Sequence, residues 1–280
     1  MTLLTLIGFG EAGQAFALGA QWGQRARAFD IKTDRRETRN TKYGDYLRAG
    51  VRGVDIAAAA LAGAAVVLSL VTADTALAVA HAAAANLTHS ALFFDMNSVA
   101  PQTKCAAAAA IEAAGGQYVD VAIMAPVHPA QMSVPLLVSG PHAADGAAML
   151  AALGFTHVRI VGDTVGRAST IKMLRSVMYK GVEALTAECL IACQKAGVTD
   201  EVLASFGNDW SEQADYRLDR MMVHGLRRAA EMAESAKTLE GLGVEPLMTR
   251  GTVERQRAVG ALGPISPPKT LSEKLERLSA

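Results

Sequence analysis

The stretch LLTLIGFGEAGQAFALG (residues 3–19) decides the fold class, because it joins an apolar run to a glycine-rich turn and then to a helical segment. Gly8, Gly10 and Gly13 form the pattern G-x-G-x-x-G directly after the apolar run. The first glycine permits a tight turn, the second lets a pyrophosphate approach the backbone, and the third lets helix and strand pack closely. We therefore predict a dinucleotide site at these glycines and at the residues between them, Phe9, Glu11 and Ala12.

An acidic residue stands where such a site needs one. Asp30 ends the second apolar run, roughly 20 residues beyond the middle of the glycine motif. A carboxylate there accepts hydrogen bonds from ribose hydroxyls and repels a 2′-phosphate, which favours NAD over NADP. Lys32, Arg35 and Arg36 follow closely, and a cation near this position could hold the extra phosphate, so NADP stays possible.

Short apolar runs alternate with helical segments in the first part of the chain. Strand–helix alternation, with strands that are apolar along their whole length, is typical of a doubly wound, mostly parallel sheet with helices on both faces. We predict such an α/β domain over residues 1–163. Its expected strands cover residues 3–9, 25–30, 65–71, 91–97, 117–124, 135–140 and 156–162.

Strand signals stop after residue 163, and helical patterns take over. We predict an all-α second domain over residues 164–280, opened by a long helix between the two domains. The tail GPISPPKT (263–270) breaks helices and is expected at the surface. The expected helices cover residues 166–196, 199–207 and 209–238, with further pieces to 262.

Polar residues follow the third and fourth expected strands. Loops at the carboxyl ends of parallel strands form the ligand crevice in open α/β sheets. Val71, Thr72 and Asn97 are thus placed to contact the nicotinamide half of a cofactor, and Ser98 lies beside them in sequence. Polar residues after strands are also ordinary turn formers, so each residue alone carries little weight.

Composition excludes several classes of protein. Lys plus Arg and Asp plus Glu both number 27, so the chain lacks the basic excess of a nucleic-acid binder. The start of the chain has no signal-peptide pattern, and the uncharged run 56–73 divides into an Ala-rich helix and a short strand, so we expect no membrane segment. An odd count of three cysteines favours reduced core thiols and a cytoplasmic protein. The histidines show no metal spacing, and no metal is expected.

The segment ASTIKMLRSVMYKGVEALTAE (168–188) is the start of the long helix. Its large apolar residues recur at spacings of three and four, which predicts a stripe that faces the core. A neighbouring row is polar and contains Lys172, Arg175, Ser176 and Tyr179. The apolar residues of the stripe are Ile171, Leu174, Met178, Val182 and Leu185.

The whole pattern resembles the β-hydroxyacid dehydrogenase family, the relatives of 6-phosphogluconate and 3-hydroxyisobutyrate dehydrogenases. The resemblance rests on IGFGEAG, Asp30, FDMNSVAPQT, GRASTIKMLRSVMYKG and RRAAEMAE, and it extends over nearly the whole chain. The last two segments look most like a subgroup of 6-phosphogluconate-dehydrogenase-like oxidoreductases whose substrates are poorly defined. The resemblance implies a Rossmann domain, a helical domain used in homodimer contacts, and a catalytic lysine early on the helix between them. Lys172 matches that lysine, and Ser98 matches the serine of the family's substrate segment.

The chain also departs from the family pattern. DVAIMAP (120–126) lacks the serine and glycines with which many members hold a substrate carboxylate. Arg175 and Ser176 replace the two asparagines that commonly follow the lysine. Arg227 and Arg228 fall close to a lysine that many members direct at the active site, and the sequence does not choose between them. These changes leave the substrate open.

Oxidation of an alcohol requires a base for the hydroxyl proton, and a lysine that is partly removed from water beside another cation can act as one. We therefore expect an NAD(P)-dependent oxidoreductase for a small, anionic 3-hydroxy acid or its oxo counterpart, with Lys172 as the general acid or base. Arg175, Ser176 and Tyr179 would bind the anion. Alternatives are an imine reductase on the same fold, whose members usually lack the lysine, and a dinucleotide-binding module without catalysis.

Overall fold

The computed structural model describes residues 4–263 and 266–279. The chain divides into two compact units, Met1–Lys172 and Met173–Ala280, which are described separately below. Unit 1 is built on one eight-stranded sheet with the order β3-β2-β1-β4-β5-β6-β7-β8. Its strands are β1 (Leu4–Ile7), β2 (Ala26–Phe29), β3 (Arg52–Gly53), β4 (Val66–Ser69), β5 (Leu92–Asp95), β6 (Gln117–Ile123), β7 (Leu136–Ser139) and β8 (Val158–Gly162).

The sheet confirms the predicted fold class. Seven of these strands correspond to the seven expected apolar runs, and every neighbouring pair is parallel except β6 with β7. The strand that the sequence did not indicate is β3, because two residues are too short to show any period. The chain order reverses at β1, which pairs with β2 on one side and β4 on the other. Ligands of open α/β sheets bind at such a reversal.

Both faces of the central strands are buried, which explains their unbroken apolar sequences, whereas the edge strand β8 is half-buried or exposed. In β4, Leu68 belongs to one core cluster and Val67 to the cluster on the opposite face. In β5, Phe94 and Phe93 divide in the same way. Successive side chains of a strand point to opposite faces, so a strand with helices on both sides must be apolar at every position. The helices of unit 1 are α1 (Glu11–Ala20), α2 (Arg36–Arg48), α3 (Ala57–Leu61), α4 (Ala76–Ala84), α5 (Pro101–Ala113) and α6 (Ala143–Ala152).

The uncharged run 56–73 folds as the sequence predicts. It forms α3, a turn and the buried strand β4. Among the described residues, every helix is too short or too polar to cross a membrane. The expectation of core thiols holds for Cys193, which is buried, but is wrong for Cys105, which is exposed on α5. Cys105 does not lie on the buried stripe of that helix.

The long helix α7 (Arg167–Ala196) begins in unit 1 and continues in unit 2. The tail 263–270 includes residues 264 and 265, which lie outside the described residues, and its remaining residues are half-buried or exposed. The other helices of unit 2 are α8 (Thr199–Phe206), α9 (Trp210–Gly241), α10 (Leu247–Ala261) and α11 (Leu271–Ser279). Of these, α11 was not indicated by the sequence patterns.

The predicted core-facing stripe on α7 is wrong for three of its five residues, whereas Ile171 packs against a buried cluster and Val182 is half-buried. Leu174, Met178 and Leu185 are 38%, 67% and 60% exposed, so this row faces outward within the chain. The buried side of α7 carries two alanines, two charged residues and two large apolar residues, namely Ala184, Ala187, Lys180, Glu183, Met173 and Leu190. A hydrophobic count missed this side because it gives no weight to charged residues that find buried partners.

Two contacts show how the helices of unit 2 pack. Gly225 on α9 lies against Gly260 on α10 so closely that a Cβ on either residue would fall within 2.8 Å of the other helix's backbone. Lys274 anchors α11 on α9, since its Nζ lies 2.6 Å from Asp215 Oδ1 and 2.7 Å from Asp219 Oδ1. Burial of the ammonium group opposes its charge, but the bonds to the two aspartates outweigh this effect and raise the pKa of Lys274.

Candidate functional site

The glycine turn after β1 is shaped by the neighbouring strands. Gly8 has a φ of +89°, and its N–H donates to the Phe29 carbonyl at 2.8 Å. A Cβ at this position would lie 2.4 Å from the carbonyl oxygen of Leu70. Only glycine fits here, because both the positive φ and the close approach of β4 exclude a side chain. Gly13 is similarly confined, since its Cβ would lie 3.0 Å from the Gly8 carbonyl.

The peptide groups of Phe9 are held on both sides. Its N–H donates to Asp30 Oδ2 at 2.8 Å. Its carbonyl accepts from Lys42 Nζ at 2.8 Å, and Lys42 is in turn paired with Asp45 at 2.7 Å. Asp30 and Lys42 are both buried, so these charge-assisted bonds fix the turn before any ligand binds. Lys42 and Asp45 were missed at the sequence level, where they look like ordinary members of a charged helix.

Gly10 is different, because nothing in the chain requires a glycine there. Its φ is −81°, which any residue adopts, and no heavy atom lies within 4 Å of a Cβ built on it. Gly10 precedes α1, and within the described part of the chain no side chain caps that helix. The first N–H groups of a helix lack partners inside it and attract anions. An open space above exposed N–H groups fits a pyrophosphate, with Glu11 and Ala12 as the first helical residues.

Asp30 lies directly after β2, at the same edge of the sheet as the glycine turn. Its Oδ1 accepts from the Lys32 N–H at 3.0 Å, so each carboxylate oxygen already holds one backbone donor and keeps acceptor capacity for a ribose hydroxyl. The side chains of Lys32, Arg35 and Arg36 are exposed. Asp30 is therefore buried beside the glycine turn, whereas the three cations lie at the surface of the protein.

Asn97 joins two loops of the same edge. Its Oδ1 accepts from the Val71 N–H at 2.7 Å, and its Nδ2 donates to Ser69 Oγ at 3.0 Å and Asp95 Oδ1 at 2.8 Å. The side chain is buried and bonded at both ends, so it acts on the loop conformation. Thr72 is exposed, and its Oγ1 lies 3.2 Å from Thr75 Oγ1. Contacts of Val71, Thr72 and Asn97 with a cofactor stay predictions.

Lys172 and Ser98 meet although 74 positions separate them. Lys172 Nζ donates to Ser98 Oγ at 2.6 Å, and both residues are partly buried. Ser98 follows β5 at the carboxyl edge of the sheet, and Lys172 lies in the second turn of α7. The structure thus pairs the two residues that the family resemblance singled out for chemistry.

Three predicted substrate residues lie further along α7, in unit 2. Arg175 stacks on Tyr179, with the guanidinium carbon 4.2 Å from the ring centroid, and both side chains are exposed. Ser176 is partly buried. Arg175 and Ser176 follow Lys172 by three and four positions, so the helical repeat places them one turn beyond it. The guanidinium of Arg175 thus makes a cation–π contact with the ring of Tyr179.

Arg227 and Arg228 differ sharply in their surroundings. Arg228 is buried and forms an ion pair with Glu183, and its Nε makes no hydrogen bond within the described residues. Arg227 keeps 45% of its side chain exposed and lies 2.5 Å from Glu231, which also pairs with Lys180 at 2.5 Å. Burial lowers the pKa of Lys180 despite that pairing. Of the two arginines, Arg227 is the one with surface left for a ligand.

Sequence reasoning also missed a buried charged cluster in unit 1, formed by Asp95, Lys104 and Asp120. A signal was present in the sequence. Lys104 falls on the same helical row as Ala107, Ala108 and Ile111, which are buried, so a lysine occupies a core position of an Ala-rich helix. Among residues 4–263 and 266–279, no group of three or more His, Cys, Asp or Glu is arranged to hold a metal ion.

These features together define a dinucleotide-binding α/β protein. Residues 4–162 match the family described as the NAD binding domain of 6-phosphogluconate dehydrogenase, and residues 193–259 match one described as a domain of unknown function. The first match covers more than half of the chain, and the protein therefore belongs to this family. Its cofactor is a nicotinamide dinucleotide.

Similar proteins agree with this assignment. An uncharacterised 28.5 kDa protein of Methanothermus fervidus, from the 7S RNA 5′ region, is 28% identical over 165 residues; this chain matches 63% of that relative's length, and the match is 58% of this chain. A conserved hypothetical protein from Sinorhizobium meliloti 1021 is 39% identical, with a TM-score of 0.73 over 100% of this chain and 96% of that chain. Protein MTH1747, of unknown function and described as structurally similar to 3-hydroxyacid dehydrogenases, is 28% identical, with a TM-score of 0.66 over 92% and 96% of the two chains.

One solved dehydrogenase shows the fold without close sequence similarity. The 3-hydroxyisobutyrate dehydrogenase of Mycobacterium tuberculosis is 16% identical to this chain, with a TM-score of 0.73 and full coverage of both chains. Identity at this level shows that the fold is shared. It does not transfer a substrate.

The glycine turn gives a test of the cofactor site. Gly10→Ala should leave the thermal midpoint unchanged, because the Cβ meets no atom of the chain. It should weaken NADH binding by about tenfold to a hundredfold, because the added methyl occupies the space of the pyrophosphate. NADH fluorescence titration measures the affinity, and differential scanning fluorimetry measures the midpoint.

Two matched variants serve as controls. Gly251→Ala also adds a Cβ in open space, inside α10; it should leave NADH affinity unchanged and raise the midpoint slightly, because alanine loses less entropy than glycine in a helix. Gly8→Ala should lower the midpoint as well as the affinity, because its Cβ collides with Leu70. Unchanged NADH affinity in Gly10→Ala would show that the dinucleotide does not lie over this turn.

Proposed function

We propose that this protein is an NAD(P)-dependent oxidoreductase that interconverts a small 3-hydroxy acid and its oxo counterpart, with Lys172 as the general acid or base. The observation that carries the proposal is the 2.6 Å contact between Lys172 Nζ and Ser98 Oγ, at the edge of the sheet where the glycine turn also lies. An ammonium or amine group beside a hydroxyl, next to a dinucleotide site, is the arrangement that alcohol oxidation needs.

The nicotinamide, when bound, accepts or returns the hydride. The chain must move the hydroxyl proton. Lys172 as a free amine takes the proton from the substrate hydroxyl, and as an ammonium group it returns the proton in the direction of reduction. Ser98 accepts one N–H of Lys172, which orients the nitrogen, and its own hydroxyl hydrogen stays available for the substrate oxygen. The pair therefore positions the substrate alcohol and exchanges its proton.

An anionic substrate is supported by the cations of the helical unit. Arg175 stacks on Tyr179 and offers a planar guanidinium that can pair with a carboxylate, and Ser176 can donate a hydroxyl hydrogen. Arg227 retains exposed surface next to Glu231. We propose that Arg175, Ser176 and Arg227 bind the carboxylate or another anionic group, and that Arg228 has a structural part, since its guanidinium is buried against Glu183.

Turnover tests this assignment directly. A panel of 3-hydroxy acids should be screened with NAD and with NADP, following the absorbance of the reduced cofactor. For an accepted substrate, Lys172→Ala should lower kcat by about a hundredfold to ten thousandfold, because the proton acceptor is lost. NADH affinity should be retained, since the dinucleotide turn is untouched.

The matched control is Lys195→Ala, which removes an exposed lysine from the same helix and should leave kcat unchanged. Near-normal turnover in Lys172→Ala would show that Lys172 is not the general acid or base. Reduction of imines with no oxidation of any hydroxy acid would indicate the imine reductase alternative. Tight NADH binding without turnover of either class would indicate a binding module.

Cofactor preference is a separate prediction. We expect the wild-type protein to bind NADH more tightly than NADPH, because a 2′-phosphate would lie against the buried Asp30 carboxylate. Asp30→Asn keeps an oxygen that can accept the Phe9 N–H but removes the charge. Asp30→Asn should therefore reduce the preference for NADH over NADPH by about tenfold. This is the effect expected when a modest repulsion between the carboxylate and the 2′-phosphate is removed. Fluorescence titration with both cofactors gives the ratio.

Arg35→Ala is the companion variant, because Arg35 is one of the three exposed cations near Asp30 that could hold a 2′-phosphate. It should leave NADH affinity unchanged. A wild-type preference for NADPH that disappears in Arg35→Ala would reverse the assignment to NADP.

We also propose that the helical unit pairs with a second copy of the chain to form a homodimer. The row Leu174, Met178 and Leu185 on α7 leaves large apolar side chains in water, which is costly for a stable monomer. Sedimentation equilibrium should give twice the mass of 29.2 kDa. Met178→Glu should shift the mass towards that of one chain, whereas Glu188→Gln on the same helix should not; a wild-type protein of single-chain mass would overturn the proposal.

A further inference from the structure

Three charged side chains lie in the dry interior of unit 1. Lys104 on α5, Asp95 at the end of β5 and Asp120 on β6 are each at most 1% exposed. Lys104 Nζ donates to the Asp95 carbonyl at 2.6 Å and to Asp95 Oδ1 at 3.0 Å. It also lies 3.3 Å from Asp120 Oδ1. One ammonium group therefore serves two carboxylates that water does not reach.

Asp95 controls the turn that carries Ser98. Its Oδ1 accepts from the Asn97 N–H at 3.0 Å and from Asn97 Nδ2 at 2.8 Å. Its Oδ2 accepts from the Tyr118 hydroxyl at 2.7 Å. Burial, with the nearby Asp95 and Asp120, raises the pKa of Tyr118 well above its usual value, so the phenol stays a donor. The turn between residues 95 and 98 is thus bonded to a fixed carboxylate.

Asp120 controls the beginning of the helix that carries Lys172. Its Oδ2 accepts from the Gly166 N–H at 3.1 Å, the Ser169 N–H at 3.2 Å and Ser169 Oγ at 3.3 Å. These are the free donors at the start of α7, and a carboxylate there both caps the helix and favours its dipole. Lys172 follows Ser169 by three residues, or one helical turn.

The two carboxylates depend unequally on Lys104. Asp95 has other donors on both oxygens. Asp120 Oδ1 has no hydrogen bond within the described residues, so the 3.3 Å ion pair with Lys104 is what compensates it. Removal of the ammonium group would leave that oxygen buried without a counter-charge, and the carboxylate would have to move or take up a proton. Either change would loosen its hold on Gly166 and Ser169.

We propose that Lys104 is a positioning residue for the Ser98–Lys172 pair. It joins the carboxylate that fixes the Ser98 turn to the carboxylate that fixes the start of α7, so that Lys172 Nζ and Ser98 Oγ meet at 2.6 Å. The catalytic meaning of this contact rests on the proposed function. The positioning itself can be measured without substrate or cofactor.

The experiment follows the chemical reactivity of Lys172 in the full chain. Acetic anhydride is added in trace amount at fixed pH, and mass spectrometry gives the acetylation rate of Lys172 relative to Lys195, an exposed lysine on the same helix. Ser98→Ala removes the oxygen that accepts from Lys172 and should raise the relative rate by about tenfold, since a hydrogen bond to a charged group is lost.

Lys104→Met should produce a rise similar to that of Ser98→Ala, because it loosens the two carboxylates that position the contact. The double variant should rise no further, because both substitutions break the same contact. Lys274→Met is the matched control: it removes another buried lysine that serves two aspartates, in unit 2, and should lower stability without changing the relative rate.

The proposal would be overturned if Lys172 in Lys104→Met were acetylated at the wild-type relative rate. It would also be overturned if the rate increases of Ser98→Ala and Lys104→Met multiplied in the double variant. Circular dichroism checks that each variant is folded. If Lys104→Met does not fold, Lys104→Gln replaces it, because its neutral, polar amide perturbs the buried cluster less. This variant still leaves Asp120 Oδ1 without a counter-charge, so the same rise is expected and wild-type labelling again overturns the proposal. Failure of the hydroxy-acid screen would leave these labelling results valid, so the two proposals fail separately.

Discussion

One ammonium group, that of Lys104, lies between two carboxylates in the interior of the α/β unit. Four elements, β5, β6, α5 and the start of α7, are bonded through it and its two partners. Such a cluster is expensive to bury and tolerates little displacement, because each missing partner leaves a charge away from water. Because it tolerates little displacement, the cluster holds these four elements in place. It sets where the turn after β5 and the first turns of α7 lie, and therefore where Ser98 and Lys172 meet.

The glycine turn relies on the same principle with different groups. Asp30 and Lys42 hold the two sides of Phe9, so the backbone donors that would face a pyrophosphate are already oriented. Gly8 is required by the neighbouring strand, whereas Gly10 is required by nothing in the chain. An open position alone does not indicate a ligand, since Gly251 is equally open; what points to a ligand at Gly10 is its place beside the unpartnered N–H groups at the start of α1.

The helical unit combines an apolar core with buried ion pairs between its helices. Lys180 with Glu231 and Arg228 with Glu183 occupy buried positions on α7 and α9. Three large apolar side chains of α7, those of Leu174, Met178 and Leu185, lie on its exposed side. Loss of one partner of a buried ion pair is costly, because it leaves the other charge uncompensated.

The sequence by itself determined the strands, the glycine turn and Asp30, because these depend on local patterns: apolar runs, a positive φ, and a fixed spacing after the turn. With the family resemblance it also pointed to Lys172 and Ser98. Sequence patterns did not indicate β3, which is too short to have a period. They also did not indicate the buried side of α7, which is formed largely by alanines and paired charges. Lys104, Asp95 and Asp120 come from three separate segments, and Lys42 looked like any surface lysine. Only the tertiary structure decided that these charges are partners, because the free energy of a buried charge depends on what surrounds it in space and not on its neighbours in sequence.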